Sequence, residues 1–134
     1  MEANQSVLII GGGIAGIQAS LDLAGRGMKV YLVEKTPSIG GRMAQLNELY
    51  PTSEYALDVL KPIMNAVTSH PKIKLFTNSE LEALDGFIGN FKAKIVVKPR
   101  YVTIECNACG KCETVCPIEV SNDFDFGLSK RKAI

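Results

Sequence analysis

Near the start of the chain, apolar residues follow two patterns, one typical of strands and one typical of helices. Val7–Ile10 is a run of four apolar residues, which predicts a strand buried on both faces. From Ile14 to Ala24, apolar residues recur at helical spacing, and the predicted helix ends at Gly25. A second strand is predicted over Met28–Glu34. This strand–helix–strand order is typical of an α/β domain built on a parallel sheet.

Further elements are predicted from the pattern between residues 43 and 97. They are a short helix over Met43–Tyr50, a helical segment over Glu54–Ser69, a third strand over Ile73–Phe76, and a β-hairpin made by Glu80–Asp85 and Phe91–Val97. Pro62 predicts a break or a new helix start, because proline lacks a backbone donor and clashes with the preceding turn. Asp123–Ile134 is polar and has no strong period.

A glycine turn joins the first predicted strand to the first helix. Gly11, Gly13 and Gly16 fit the pattern G-x-G-x-x-G. In this pattern the first glycine allows a tight turn, the second lets a pyrophosphate approach, and the third allows close packing of helix and strand. Glu34 ends the second strand 21 residues after Gly13, close to the spacing of the acid that binds a ribose hydroxyl. The motif alone is weak, but this context favours dinucleotide binding over an ordinary glycine-rich turn.

Length, charge and hydropathy restrict the classes of protein that the chain can form. Its 134 residues suffice for about one domain. Fifteen basic and fourteen acidic residues give a net charge of +1, which argues against a nucleic-acid partner or an anionic membrane surface. No apolar run approaches the ~20 residues of a membrane span, and the first five residues do not resemble a secretory signal. We therefore expect a cytoplasmic protein without direct membrane insertion.

All four cysteines lie in one short segment. Cys106, Cys109, Cys112 and Cys116 have the spacing C-x-x-C-x-x-C-x-x-x-C, and a proline follows. This is the bacterial ferredoxin pattern for a [4Fe–4S] cluster. Zinc is the alternative, but structural zinc sites usually divide their ligands between two knuckles separated by a longer loop. The last cysteine of such a motif can ligate a second cluster. Either Cys116 completes one cluster, or a second motif lies beyond residue 134, and we favour the second interpretation.

Several segments together resemble the A subunit of heterodisulfide reductase. They are Gly11–Gly16, Val33–Lys35, Ser38–Leu46, Lys98–Val102 and the cysteine segment, and the resemblance covers nearly everything from Val7 to Ile134. The sequence is also similar to the related flavoprotein subunits of quinone-interacting oxidoreductases and sulfur-oxidation complexes. The resemblance implies an α/β fold with a Rossmann-type, thioredoxin-reductase-like FAD-binding parallel sheet, a β-hairpin and an inserted ferredoxin-like [4Fe–4S] segment. It also implies that electrons pass between flavin and clusters.

The resemblance assigns binding roles to particular residues. The cofactor-binding residues would be Gly11, Gly13, Ile14, Ala15 and Gly16 at the first glycine turn, Glu34 and Lys35 after the second strand, and Gly40, Gly41 and Arg42 in a second glycine loop, while the four cysteines would bind the cluster. The second loop favours FAD over NAD, although Glu34 suits the ribose of either. The implied domains are a partial FAD-binding domain over 1–99, a ferredoxin-type segment over 100–122, and the start of a continuation over 123–134.

Two features of the family are missing from the sequence. Family members commonly carry a Cys-x-x-Cys in the segment equivalent to Pro51–Met64, where this chain has Tyr55 and Asp58. We interpret Asp58 as a helix or surface acid rather than as an oxygen ligand. The cysteine-bearing N-terminal region of the methanogen subunits has no counterpart among these 134 residues. We therefore expect no electron route through cysteines at those positions within these residues.

The sequence supports two functional hypotheses from different classes. The first is an electron-transfer subunit that uses FAD and a [4Fe–4S] cluster within a heterodisulfide-reductase-like oxidoreductase complex, and that is inactive as this segment alone. Its partners would be the other subunits, with a ferredoxin or a hydrogenase-type electron donor. The alternative is a non-catalytic assembly fragment or paralogue that lacks complete cofactor sites. No nucleophile or pair of carboxylates indicates acid–base or hydrolytic chemistry, so no catalytic residue is predicted.

Overall fold

The computed structural model describes residues 5–103, 105–107 and 109–134. The first four residues of the predicted 1–99 domain, and positions 104 and 108 of the predicted cluster segment, lie outside the described residues. The chain divides into two compact units, of which one ends at Arg100 and the other begins at Tyr101.

The first unit has α/β structure. In chain order it contains β1 (Ser6–Ile10), α1 (Ile14–Gly25), β2 (Lys29–Val33), a 3₁₀ helix (Gly41–Gln45), β3 (Glu48–Leu49), β4 (Glu54–Tyr55), α2 (Ala56–Ser69), β5 (Ile73–Phe76), β6 (Ser79–Phe87) and β7 (Asn90–Val97). A parallel sheet has the strand order β1–β2–β5, with Ile9, Leu32 and Leu75 in register. Parallel neighbours need crossover connections, and α1 supplies the one between β1 and β2. The predicted α/β class and parallel sheet are confirmed.

One face of this sheet carries the hydrophobic core, between the strands and the two helices. The buried members of the core are Ile17 from α1, Leu32 from β2, Ile39, and Leu60 and Val67 from α2, each at most 3% exposed. Leu60 and Val67 lie two turns apart, on one face of α2. Burying an aliphatic side chain of this size fully stabilises the folded state by about 1.5–3 kcal/mol. These contacts therefore hold both helices on the sheet.

The opposite face of the sheet is less covered than the sequence predicts. The apolar run of β1 predicts burial on both faces, but Ile10 is 62% exposed. This face borders an apolar cavity of about 690 Å³, whose lining includes Leu8, Tyr31 and Phe76 from the sheet and Leu84 and Phe91 from the β6–β7 hairpin. An apolar run indicates that both faces of a strand are apolar, but it does not indicate which neighbour covers each face. The prediction of burial on both faces is wrong for β1.

Between β2 and β5 the structure departs from the predicted helices in two places. The predicted helix over Met43–Tyr50 is wrong, because the chain forms the 3₁₀ helix and then β3, which pairs antiparallel with β4. Short helices are marginal without packing. The predicted break at Pro62 is also wrong, because α2 continues through it. Pro62 has no N–H to donate to the carbonyl of Asp58, one turn earlier in the helix, but both residues are exposed to water. Leu60 and Val67, on either side of Pro62 in the sequence, are buried.

The predicted β-hairpin is confirmed, with strands longer than expected. β6 and β7 pair antiparallel from Ser79 opposite Val97 to Phe87 opposite Asn90. The turn therefore contains only Ile88 and Gly89, and Gly89 has a φ of 87°. Tight hairpin turns require such positive φ values, which glycine adopts without steric cost.

The second unit contains short elements. They are α3 (Lys111–Val115), β8 (Glu119–Ser121) and β9 (Lys130–Lys132), and the two strands pair antiparallel. In the loop between the strands, the Ser129 hydroxyl donates to the Asp125 carboxylate, and the Asn122 N–H donates to the Ser129 carbonyl at 3.0 Å. These hydrogen bonds are local and involve polar groups, so they produce no hydrophobic periodicity in the sequence. The pattern of apolar residues therefore does not predict this strand pair. Within the described ranges, no helix has the length and apolar character needed to cross a bilayer.

Candidate dinucleotide site and cysteine segment

The glycine turn lies at the carboxyl edge of the parallel sheet, directly after β1. Gly11 donates its N–H to the Val33 carbonyl at 2.8 Å, which extends the pairing of β1 with β2. Gly11 has a φ of 101°, a region that only glycine adopts without steric cost. The chain then enters α1 at Ile14. Ligands of open α/β sheets bind at this edge.

The third glycine of the motif allows α1 to pack against the turn. A Cβ built on Gly16 would overlap the carbonyl oxygen of Gly11 and lie 3.6 Å from the Ile9 side chain. Only a residue without a Cβ permits this approach of backbone to backbone. Gly16 therefore brings the N-terminus of α1 to the end of β1.

The space in front of the second glycine is open. A Cβ built on Gly13 would meet no non-neighbouring atom of the described residues within 4 Å, and Ile14 and Ala15 are exposed. The Ile17 N–H donates to the Gly13 carbonyl at 2.9 Å, so the earlier N–H groups of α1 have no partner within the helix. Among the described residues, no side chain caps this N-terminus. The open space and the N–H groups together form a cradle that suits a phosphate.

A second glycine loop packs on the first. Gly40 donates its N–H to the Gly12 carbonyl at 2.7 Å. A Cβ built on Gly41 would lie 3.1 Å from the Cα of Gly13. Arg42, the third residue assigned to this loop by the resemblance, is exposed in the 3₁₀ helix. The structure thus brings the two glycine segments together at one edge of the sheet.

Glu34 connects the end of β2 to the glycine turn. Its side chain is buried, with 6% of its surface exposed. One carboxylate oxygen accepts the Gly12 N–H at 2.5 Å, and the other accepts the Thr36 N–H at 2.7 Å and the Thr36 hydroxyl at 2.8 Å. Burial raises the pKa of this carboxyl, but these hydrogen bonds and the Lys35 charge outweigh burial and hold the pKa below its ordinary value of 4.5. Glu34 is therefore ionised at neutral pH.

The Glu34 carboxylate can still accept a ligand hydroxyl. A carboxylate offers about four acceptor positions, and the bonds from Gly12 and Thr36 use three of them. The remaining position belongs to the oxygen that accepts the Gly12 N–H. Sequence reasoning missed Thr36, although a hydroxyl two residues after a buried acid was an available signal. Lys35, which the resemblance also assigns to the site, is exposed.

The cysteine segment does not form a metal site in the described geometry. Cys106, Cys109 and Cys112 are exposed, and Cys116 is half-buried. In the part of the chain that the structure describes, no three His, Cys, Asp or Glu side chains converge as metal ligands must. Gly110, with a φ of 76°, lies between the second and third cysteines and directly precedes α3. The four ligands predicted from their spacing are therefore not brought together.

The donor chemistry of the cysteine segment nevertheless suits iron and sulfide. Backbone hydrogen bonding at Ile118 lowers the pKa of the Cys116 thiol, and burial opposes this effect. Backbone hydrogen bonding at Ala133 and Ile134 lowers the pKa further, as does the positive charge of Lys132. A lower pKa favours the thiolate, which is the form that binds metals. The thiols fit the cluster by type and spacing, although not by their described arrangement.

Tyr55 and Asp58, which stand where the family commonly has cysteines, lie at the surface. Both border a shallow depression together with Ser53 and Pro62. The Asp58 carboxylate lies 4.0 Å from the Lys61 ammonium, and both side chains are exposed. Exposed pairs of this kind contribute little to stability. The geometry agrees with the interpretation of Asp58 as a surface acid.

The first unit has the features that define a class of protein. A parallel sheet whose first strand ends in a glycine cradle, with a buried acid after the second strand, is characteristic of dinucleotide-binding α/β domains. Residues 6–86 match the family described as FAD dependent oxidoreductase. The chain belongs to this family.

Curated relatives match the chain over its whole length. It is 58% identical over 135 residues to the iron-sulfur A subunit of the CoB–CoM heterodisulfide reductase of Methanocaldococcus jannaschii. It is 51% identical over 135 residues to the A subunit of the H(2)/formate:CoB-CoM heterodisulfide,ferredoxin reductase of Methanococcus maripaludis. Each match covers 100% of this chain and 20% of the relative, so the chain spans about a fifth of the length of these curated relatives. The resemblance to the A subunit of heterodisulfide reductase is confirmed.

A solved structure supports the fold. L-proline dehydrogenase from P. horikoshii superimposes with a TM-score of 0.57 and 23% identity, over 72% of this chain and 20% of that one. At this identity the likeness shows the fold alone.

Proposed function

We propose that the chain forms the part of a flavin site that binds the pyrophosphate and adenosine ribose of FAD, in an oxidoreductase similar to the A subunit of heterodisulfide reductase. The observation that carries this proposal is the open space at Gly13, in front of the N-terminus of α1. Family membership supports FAD as the dinucleotide. When bound, FAD supplies the exchange between two-electron and one-electron carriers.

The residues at the sheet edge have separate binding roles in this proposal. The N–H groups at the start of α1, from Gly13, Ile14, Ala15 and Gly16, hold the pyrophosphate oxygens. Glu34 accepts a ribose hydroxyl at its remaining position, as an ionised group whose other contacts fix its orientation. Gly11 allows the turn, and Gly40 and Gly41 line the cofactor from the second loop. Arg42 and Lys35 add positive charge beside the phosphates.

The same proposal assigns a [4Fe–4S] cluster to the cysteine segment. Its support is the C-x-x-C-x-x-C spacing of Cys106, Cys109 and Cys112, together with the exposure of their side chains. The relative from M. jannaschii is named an iron-sulfur subunit, which agrees with this assignment. Cys116 binds either the same cluster or a neighbouring one.

The proposed protein works within a multi-subunit complex. The relative from M. maripaludis is named as one subunit of a heterodisulfide,ferredoxin reductase, which makes other subunits and a ferredoxin the partners of first choice. A hydrogenase-type protein is a second electron donor of suitable chemistry. The cytoplasm is the proposed compartment, because its reducing conditions keep four closely spaced thiols available for a cluster.

The proposal is tested by purifying the full-length protein without oxygen and measuring its absorbance spectrum, FAD, iron and acid-labile sulfide. We expect flavin bands, stoichiometric FAD and about four irons for each cluster. A preparation without flavin would overturn the FAD assignment, and one without iron and sulfide would overturn the cluster. A colourless protein that still forms a stable complex with partner subunits would favour the alternative, a non-catalytic assembly module.

A further inference from the structure

Arg100 contacts two loops at the carboxyl edge of the sheet. Its Nη2 donates to the Pro37 carbonyl at 2.8 Å and to the Thr77 hydroxyl at 2.6 Å. Pro37 belongs to the loop that follows β2, and Thr77 belongs to the loop that follows β5. One guanidinium therefore joins the loops at the ends of two neighbouring strands. Neither the glycine motif nor the cysteine motif accounts for this residue.

Asn78 holds the same stretch of chain, Lys98–Arg100, which we call the exit segment. The Asn78 side-chain amide donates to the carbonyls of Lys98 at 3.1 Å and Pro99 at 3.0 Å. The Lys98 N–H donates to the Asn78 carbonyl at 2.8 Å, and the Asn78 N–H donates to the Thr36 carbonyl at 2.9 Å. The exit segment is thus bound to this edge through both side chains and main chain.

A continuous series of bonds connects the exit segment to the glycine turn. Pro37, which Arg100 holds, directly follows Thr36 in the chain. The N–H and the hydroxyl of Thr36 bind the Glu34 carboxylate, and the same carboxylate holds the Gly12 N–H. A displacement of Pro37 therefore moves Thr36 and changes the orientation of Glu34. Arg100 acts on the candidate ribose-binding carboxylate through this loop.

We propose that Arg100 is a positioning residue of the nucleotide site and that it couples occupancy of this site to the order of the exit segment. This inference rests on the proposed function, because the site must bind FAD for the coupling to exist. Coupling of this kind is reciprocal: if the exit segment orders the site, FAD also orders the exit segment. Cys106 follows Arg100 by six residues in the sequence. The ordered segment is therefore the one that leads into the proposed cluster ligands.

The coupling is tested first by FAD affinity in the full-length protein, with the dissociation constant measured by quenching of flavin fluorescence. We expect Arg100→Ala to raise this constant about fivefold, which corresponds to the loss of about one hydrogen bond's net contribution. Arg100→Lys restores part of the affinity, because an ammonium still donates to one of the two acceptors. The matched control is Arg26→Ala, which removes an exposed arginine between α1 and β2, at the opposite edge of the sheet. This control leaves the constant unchanged.

Amide hydrogen exchange supplies a second readout, which loss of stability alone would not reproduce. We expect FAD to slow exchange at the Lys98 N–H in the wild type and in Arg26→Ala, and to have a much smaller effect in Arg100→Ala. Equal FAD affinity and equal FAD-dependent protection in Arg100→Ala and Arg26→Ala would overturn the coupling. If Arg100→Ala does not fold, Arg100→Lys decides: weaker binding than Arg26→Ala supports the coupling, and equal binding overturns it. A wild-type protein that binds no FAD would overturn the proposed function itself. Equal FAD affinities of the Arg100 and Arg26 variants would overturn only the coupling, so the two failures can be distinguished.

Discussion

The glycine edge of the first unit and the cysteine segment of the second differ in how much of a binding site the polypeptide forms alone. At the glycine edge, main-chain bonds from Gly11 and Gly40 and the Glu34 carboxylate hold two loops in place. In the second unit, three of the four cysteines are exposed, and no described residue from Tyr101 onward is buried. The two candidate sites belong to one chain, but different interactions assemble them.

The difference follows from what each site is made of. A phosphate cradle consists of backbone N–H groups, whose positions are determined once a helix and a strand pack around a hydrophobic core. A cluster site consists of side chains on a short segment, and the free energy of metal binding is then part of its folding free energy. The glycine edge should therefore be sensitive to packing changes, and the cysteine segment to the loss of ligands.

The largest expected effect comes from breaking the packing at the glycine edge with Gly16→Ala. The added Cβ would overlap the Gly11 carbonyl oxygen, and neither backbone can move without displacing α1 from β1. We expect the free energy of unfolding to fall by about 3 kcal/mol, as for overpacking in a core, and FAD binding to be lost. Chemical denaturation measures the first quantity and flavin fluorescence the second.

Gly25→Ala is the matched control for this substitution. Gly25 is the last residue of α1, and a Cβ there would meet nothing within 4 Å in the described part of the chain. We expect its free energy of unfolding to stay within about 0.5 kcal/mol of the wild type or to rise slightly, because alanine favours helices. Equal destabilisation by both substitutions would contradict the packing role of Gly16.

A smaller effect is expected from Glu34→Gln, which keeps the shape of the side chain and removes its charge. The Glu34 carboxylate accepts the backbone N–H groups of Gly12 and Thr36. In the glutamine variant, the side-chain NH₂ faces one of these N–H groups, so two donors oppose each other. A buried unsatisfied donor costs about 2 kcal/mol, so the free energy of unfolding at pH 7 should fall by about that amount. Glu82→Gln, at an exposed 2.7 Å ion pair with Lys94, should change it by less than about 0.5 kcal/mol.

The destabilisation by Glu34→Gln should decrease as the pH falls, because it depends on the ionisation of the Glu34 carboxyl. Because the pKa of Glu34 is lower in the folded protein than its ordinary value of 4.5, its ionisation stabilises the fold above pH 4.5. This stabilisation is lost as the pH falls through the lower, folded-state pKa. Denaturation curves from pH 7 to pH 3 should therefore converge for wild type and Glu34→Gln. A difference that stays constant over this range would contradict the stated ionisation.

The smallest expected effect on the glycine edge comes from removing two cluster ligands with Cys109→Ser and Cys112→Ser together. Iron and sulfide in the anaerobically purified full-length protein should fall to near zero, because two of the proposed ligands are lost. The FAD content should stay unchanged, because the cradle at Gly13 is built by other residues. Asn107→Ser, an exposed polar position between two cysteines, is the control and should retain iron. A parallel loss of FAD would show that the two sites do not assemble separately.

Much of the glycine edge could be predicted from local sequence. The apolar run of β1, the periodicity of α1 and the positions of Gly11, Gly13 and Gly16 all act within a short stretch, so the pattern predicted the elements and their order. The contact of Gly40 with Gly12 could not be predicted from local pattern, because it joins loops that are distant in the sequence. The bonds from Arg100 to Pro37 and Thr77 could not be predicted for the same reason, because they also join residues that are distant in the sequence.

Two wrong predictions have a common physical reason. The helix expected over Met43–Tyr50 and the break expected at Pro62 both follow from local propensity alone. In the structure, pairing of β3 with β4 and the burial of Leu60 and Val67 outweigh that propensity. Tertiary contacts decide such cases, and they leave no signal in the immediate sequence.

The measurement that tests the account most directly is FAD affinity in a full-length Gly13→Ala protein. Gly13 has φ −73° and ψ −178°, which alanine adopts without strain, and its added Cβ would extend into the open cradle. We expect the free energy of unfolding to change by less than about 1 kcal/mol, as for a glycine-to-alanine change at a helix N-cap. The FAD dissociation constant should rise at least about tenfold, equivalent to about 1.4 kcal/mol. An unchanged FAD affinity in a normally folded Gly13→Ala protein would contradict the assignment of this space to the pyrophosphate.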